Sequence, residues 1–209
     1  MPSLAKITLD KPQATARLNL SKGLSDLKVK LQWNSQPAHQ KKGFFASFLG
    51  PSSIDLDLGI FVELANGTKS VIDPLQFVQD NRLKGSLAAA PFVLHSGDDR
   101  SGGGGETILV SGANIGKIQR LIVYTYIYEG APQWRATDAH VHIEVPGQSA
   151  IDIVMGDQTD SRKMCALASI EVGGGGTTLD VKRLMTFHGG HSDCDSKYGW
   201  GFRWQDGSK

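Results

Sequence analysis

The stretch Leu27–Trp33, LKVKLQW, decides the fold. Leu27, Val29, Leu31 and Trp33 alternate with Lys28, Lys30 and Gln32. A period of two sends successive side chains to opposite faces of a strand, so this segment predicts a strand with one buried and one wet face. Strand-like segments recur outward from it: Leu58–Leu64, Thr107–Val110, Leu121–Tyr128, Ala139–Val145, Ile151–Met155, Met164–Val172 and Thr178–Phe187. Ala65-Asn66-Gly67-Thr68 follows the first of these, and an Asn-Gly pair favours a tight hairpin turn. Tyr198, Trp200, Phe202 and Trp204 alternate with Gly199, Gly201 and Arg203 and predict a last strand. Turn residues separate these segments at short intervals, and helical periodicity is scarce. The prediction is an all-β chain, a sandwich of two antiparallel sheets with about ten strands. The glycine runs Gly102–Gly105 and Gly173–Gly176 lie between strand segments and predict hairpin loops rather than linkers, which leaves residues 1–209 as a single β-sandwich domain.

Net charge is +1, with Lys and Arg nearly balanced by Asp and Glu. A nucleic-acid binder shows a basic excess or stripe, so no nucleic-acid partner is expected. Cys165 and Cys194 are the two cysteines, too few for a disulfide scaffold and typical of a reducing compartment. The N-terminal residues MPSLAKITLDKPQ lack the basic region and apolar core of a signal peptide. No apolar run reaches the roughly 20 residues of a membrane helix. A cytoplasmic protein without an integral membrane segment is expected.

Two acidic stretches carry the chemistry. In Ile54–Gly59, IDLDLG, Asp55 and Asp57 share one strand face, roughly 7 Å apart. In His95–Glu106, HSGDDRSGGGGE, glycine frees the backbone to turn carbonyls inward around Asp98, Asp99 and Glu106. Ca²⁺ takes about six to eight oxygens from carboxylates, carbonyls and water, so these residues suit a calcium site, with Glu106 as a closing bidentate ligand. The same residues also suit a solvent-facing strand beside an ordinary polar hairpin. The loop does not follow the EF-hand pattern.

Other clusters are weaker. His188, His191 and Cys194 have spacing suited to zinc or to a polar loop. His140, His142 and Glu144 alternate on one strand face and suit a transition metal or a solvated surface. Cys165 sits in an apolar run and reads as a core thiol. No nucleophile elbow or phosphate loop is present, and a hydrolase built on Asp55, Asp57, Asp98 and nearby histidines has no identifiable base or nucleophile, so the chain is expected not to be an enzyme. Lys41–Gly50, KKGFFASFLG, places three phenylalanines after two lysines and suits a membrane surface, a protein partner or a loop folded over one end of the sandwich.

IDLDLG followed by GDDRSG, with LIVYTYIYEGAPQW and the ending YGWGFRWQDGSK, resembles the tellurium-resistance (TerD-type) superfamily, and more closely its TerA-like branch. The resemblance runs from about Leu20 to Lys209. It implies a β-sandwich that binds calcium between the D-x-D strand and the Gly-rich loop. It also implies a place in bacterial stress operons for resistance to tellurite, phage and pore-forming toxins. Carried over, the metal residues are Asp55 and Asp57 on the strand, Gly97, Asp98 and Asp99 in the loop, Glu106 at its acidic end, and Asn81 upstream. Implied partners are other resistance-operon proteins, including a membrane-associated complex at the inner face of the membrane. TerD-type loops carry further acids, in a pattern like GEGEGDDE, where this chain has glycines and one glutamate, which predicts fewer or weaker ions. A module with a degenerate metal site, recognising a protein or membrane through residues 41–50, is the alternative.

Overall fold

The structure, a computed structural model, describes residues 5–21, 23–34, 54–97, 105–129, 134–156 and 158–205. Asp98, Asp99, Arg100 and the whole of residues 41–50 lie outside the described residues. Among those described are thirteen strands in two sheets, rather than about ten. The excess comes from short segments with too little alternation to read in sequence. The strands are β1 Ile7–Leu9, β2 Thr15–Asn19, β3 Leu27–Gln32, β4 Asp55–Leu64, β5 Lys69–Ile72, β6 Gly85–Ser86, β7 Val93–His95, β8 Glu106–Val110, β9 Ile118–Glu129, β10 His140–Glu144, β11 Ile151–Val154, β12 Met164–Gly173 and β13 Thr178–His188. Short helices α1 Pro74–Phe77 and α2 Trp134–Thr137, and the longer α3 His191–Tyr198, complete the regular structure with 3₁₀ turns at Asn81–Lys84 and Ile115–Lys117.

The first sheet runs β1-β11-β10-β3-β8-β7-β6 and the second β2-β13-β12-β9-β4-β5. All pairings are antiparallel except β1 with β11. The all-β sandwich is therefore as the periodicity predicts. In β3, Leu27, Val29 and Leu31 are buried and Lys28 and Gln32 exposed. The Asn66-Gly67 turn joins β4 to β5, with Gly67 at φ +82° and the Asn66 side chain accepting from Thr68 N–H. Gly173–Gly176 forms the β12–β13 hairpin turn, as predicted.

Two apolar cores result. Leu56, Leu58, Ile60 and Val62 of β4 pack between the sheets with Val29, Leu31, Ile108, Val141 and Leu179. Phe61, on the opposite face of the same strand, joins a second cluster on the outer face of the second sheet with Ile122, Tyr124, Tyr126, Met164, Cys194 and Trp200. Residues 198–204 are not a strand, contrary to the alternation. Tyr198 ends α3, and Gly199 (φ +72°) and Gly201 (φ +79°) turn the chain into a strap across that face. Left-handed glycines take no part in a regular ladder, and the aromatic side chains supply the burial that suggested a strand. Trp200 and Phe202 stack on Phe61 at 5.4 and 6.1 Å, and Trp204 meets its edge at 6.0 Å. Arg120 lies over the Trp200 ring at 4.6 Å, and Lys69 donates to Gly199 O at 2.7 Å.

Candidate functional site

The acidic corner is built at the edge of β4. Strand β5 pairs only with Ile60–Glu63, so Asp55–Gly59 faces a side without a strand partner among the described residues. An unpaired buried backbone group costs about as much as a lost hydrogen bond. Two side chains from the first sheet fill this role at Leu58. Its N–H donates to Glu106 Oε2 at 2.7 Å, and its carbonyl accepts from His95 Nε2–H at 3.0 Å. His95 Nδ1 accepts from Gly97 N–H at 3.0 Å, so the network assigns the neutral tautomer with its proton on Nε2. His95 Nε2 also lies 3.5 Å from Glu106 Oε2.

Asp57 and Glu106 are 0% and 1% exposed and flank this one backbone unit from different sides. Glu106 comes from the sandwich interior. Asp57 points to the outer face, opposite Tyr126, whose hydroxyl is shared between Asp57 and Asp73. Asp55 is half-buried at the start of β4, and Gly97 adopts φ +128°, a conformation open to glycine, where the acidic loop begins. Asn81 is exposed and opens the 3₁₀ turn; that turn brings Lys84 to Gly97, placing its Nζ 3.3 Å from where a Cβ would stand. The structure thus links Glu106 and, through His95, Gly97 to Leu58, leaves Asp57 on the outer face of β4 and Asn81 at the surface, and does not describe Asp98 and Asp99.

Sequence reasoning missed the neighbouring Asp73, 1% exposed, which caps α1 through Leu75 N–H. It also accepts from Tyr124 Oη at 2.6 Å and His191 Nε2 at 2.8 Å. The dipeptide Asp73-Pro74 is a helix-start signal, but its partner His191 lies 118 residues away, beyond any local pattern. This group forms the floor of an open cleft of about 1140 Å³ between α1, the start of α3 and Trp204. Burial alone would raise the Asp73 carboxyl, but the His191 and Tyr124 bonds outweigh it and hold the group below the usual carboxylate range. A depressed carboxyl adds stability above its unfolded pKa of about 3.9, and that stability is lost as pH falls through the lower folded value. Urea unfolding from pH 5 to 2 is expected to show a shallower acid loss for Asp73→Asn than for the wild type. Parallel curves would refute this role.

The zinc-spaced trio does not converge. His188 Nε2 bonds Thr186 Oγ1 at 2.9 Å, His191 bonds Asp73, and Cys194 is buried in the outer cluster, where burial pushes its thiol up to about 12. The segment read as a polar loop is largely helix α3. On the outer face of the first sheet, His142 bonds Asp152, Glu144 pairs with Lys30 at 2.9 Å, and His140 bonds Gln32. Among the described residues, no group of three His, Cys, Asp or Glu side chains is arranged to hold a metal.

The two packed sheets define the fold as a β-sandwich. Tellurium resistance protein TerA of Alcaligenes sp is 33% identical over 210 residues, covering 99% of this chain and 59% of that protein. The chain therefore spans about three fifths of the length of the curated relative it matches. A solved structure of a homologue of telluride resistance protein (TerD), SCO6318 from Streptomyces coelicolor A3(2), superposes with a TM-score of 0.51 at 13% identity, over 83% of this chain and 96% of its own. SAV2460, a protein of unknown function, superposes with a TM-score of 0.55 at 12% identity, over 87% and 100%. The structural likenesses show the fold. No family model matches. The sequence likeness to TerA runs along nearly the whole of this chain, and the likeness to the TerD homologue is one of fold.

Proposed function

We propose that this chain is a calcium-binding, non-enzymatic module of a bacterial tellurite-stress response, in which Ca²⁺ orders the acidic loop for partner binding. The supporting observation is the pair of buried carboxylates, Asp57 and Glu106, around Leu58 at the point where the chain enters the loop through Gly97. The donor set fits a hard cation: carboxylate oxygens with pliable backbone carbonyls nearby. Glu106 would hold the ion from the sandwich side, with Asp55 at the rim and Asp98 and Asp99 from the loop, and Asp57 would bear on it by charge from the outer face of β4. Bound Ca²⁺ would supply the charge that draws strand and loop together. The ordered loop would then face other resistance proteins, including a complex at the inner membrane surface.

Thermal unfolding of the metal-stripped chain tests this. A ligand at about 100 times its Kd adds roughly 2.7 kcal/mol. At about 2–4 °C per kcal/mol, Ca²⁺ is expected to raise the midpoint by roughly 5–11 °C. Asp57→Asn and Glu106→Gln are expected to shrink the rise. An unmoved midpoint overturns the calcium reading.

One observation favours a second reading. Lys84 Nζ at the neck of the loop is a tethered cation where an ion would add charge. The metal site is then degenerate, recognition passes to residues 41–50, and Ca²⁺ leaves the midpoint where it was.

A further inference from the structure

Strands β12 and β13 slip register between Ala166 and Ala168. Met185 sits in that irregularity at φ +50°, a conformation strained for a bulky L-residue. The outcome of this local distortion is a contact between two sulfurs: Met185 Sδ lies 3.6 Å from Cys165 Sγ. Cys165 is fully buried and faces between the sheets, whereas Cys194 belongs to the cluster on the other face. Met185 is only partly buried and, with Phe187 and Gln158–Arg162, lines an open cavity of about 630 Å³. The charge of Arg183, 5% exposed, bears on this thiol. Its Nη2 donates to Val154 O at 3.3 Å, and its Nε makes no hydrogen bond among the described residues.

We propose that Cys165 and Met185 form a binding site for one soft monovalent cation of the Cu(I) class, entered through this cavity. Thiolate and thioether sulfurs are the donors that select Cu(I) over hard cations. Binding exchanges a proton for the ion: the S–H bond breaks, the proton leaves to solvent, and a sulfur–metal bond forms with no change of oxidation state. The exchange leaves the buried net charge as it was. Desolvation, which pushes the free thiol far up, therefore does not oppose the ion, and the Arg183 guanidinium favours the sulfur's negative charge. With metal–sulfur bonds of about 2.3 Å, as for zinc thiolates, sulfurs at this separation hold the ion bent and leave one side to a third ligand from the cavity. The site is independent of the acidic corner, on other strands and with other donors.

The test is anaerobic titration of the reduced, metal-free full chain with Cu(I) held by bicinchoninate, following loss of the coloured chelate. One equivalent is expected to transfer to the protein. Cys165→Ala is expected to abolish the transfer, Met185→Leu to weaken it at least about tenfold, and Cys194→Ala to leave it unchanged. Met185→Leu preserves volume, so its metal-free melting point serves as the check on folding. The proposal is overturned if no Cu(I) leaves the chelator, if uptake survives Cys165→Ala, if Met185→Leu melts as the wild type and binds as tightly, or if uptake follows Cys194.

Discussion

Gly59→Ala is expected to lower the unfolding free energy by about 3–5 kcal/mol. A Cβ at this position would stand 2.2 Å from Tyr124 Cζ, 2.3 Å from Cε2 and 2.4 Å from its hydroxyl oxygen. The ring has no room to retreat. It is fully buried, packed 4.9 Å from Phe61, and its hydroxyl is bonded to Asp73. Overpacking a full core costs about 1–3 kcal/mol. Breaking the bond to a charged carboxylate adds about 1.5–3 kcal/mol. Tyr124→Phe, which keeps the ring, is expected to show the second part alone. The double variant should then cost less than the sum, because both changes break the same bond. Urea unfolding of the three variants measures this. A Gly59→Ala cost below about 0.5 kcal/mol, the range of neutral surface changes, would show that the glycine does not exist to admit the ring.

Asp195→Ala is expected to release the C-terminal strap. This carboxylate, 4% exposed, accepts from Gly201 N–H at 2.7 Å, Phe202 N–H at 2.8 Å and Trp204 Nε1–H at 3.0 Å. Hydrogen bonds to charged groups are worth about 1.5–3 kcal/mol each and do not add fully, so a loss of about 3–5 kcal/mol is expected. Two of the donors are backbone amides that have no alternative partner while the strap stays docked. The loss is expected to be local, since the sandwich core between the sheets touches none of these bonds. Amide exchange at 199–205 should speed up well before exchange in β9 and β12, with Trp200 and Trp204 fluorescence shifting to the red. Uniform acceleration in all strands, or no change at the strap, would contradict this account.

The contrast between these two regions shows what sequence carries. Alternation in β3 and the Asn66-Gly67 turn are local properties, and both were legible. The alternation at Tyr198–Trp204 was equally plain yet misleading, because a buried aromatic period of two arises from a strap as readily as from a strand once glycines turn the backbone and Asp195 takes its N–H groups. At the acidic corner, residue types pointed to Asp57 and Glu106, which the structure buries on opposite faces of β4, Glu106 bonded to Leu58 N–H. Sequence did not show that Glu106 reaches inward to complete an unpaired strand edge, or that His95 does the same for the carbonyl. Nor did it link Asp57, through Tyr126, to Asp73 and His191, since those contacts join segments far apart in the chain.

That long-range wiring has a consequence for synthesis. Among the described residues β1 pairs only with β11, β2 only with β13, and β3 only with β8 and β10. The ion pair of Arg17 with Asp180 spans 163 positions. At about 5–20 residues per second, a ribosome separates the two partners by roughly 10–30 s. For that interval β2 has left the ribosome without the sheet neighbour that covers it. Strand β3 gains its neighbour β8 midway, whereas Ala16 and Leu18 of β2 depend on what shields them until the last hairpin arrives.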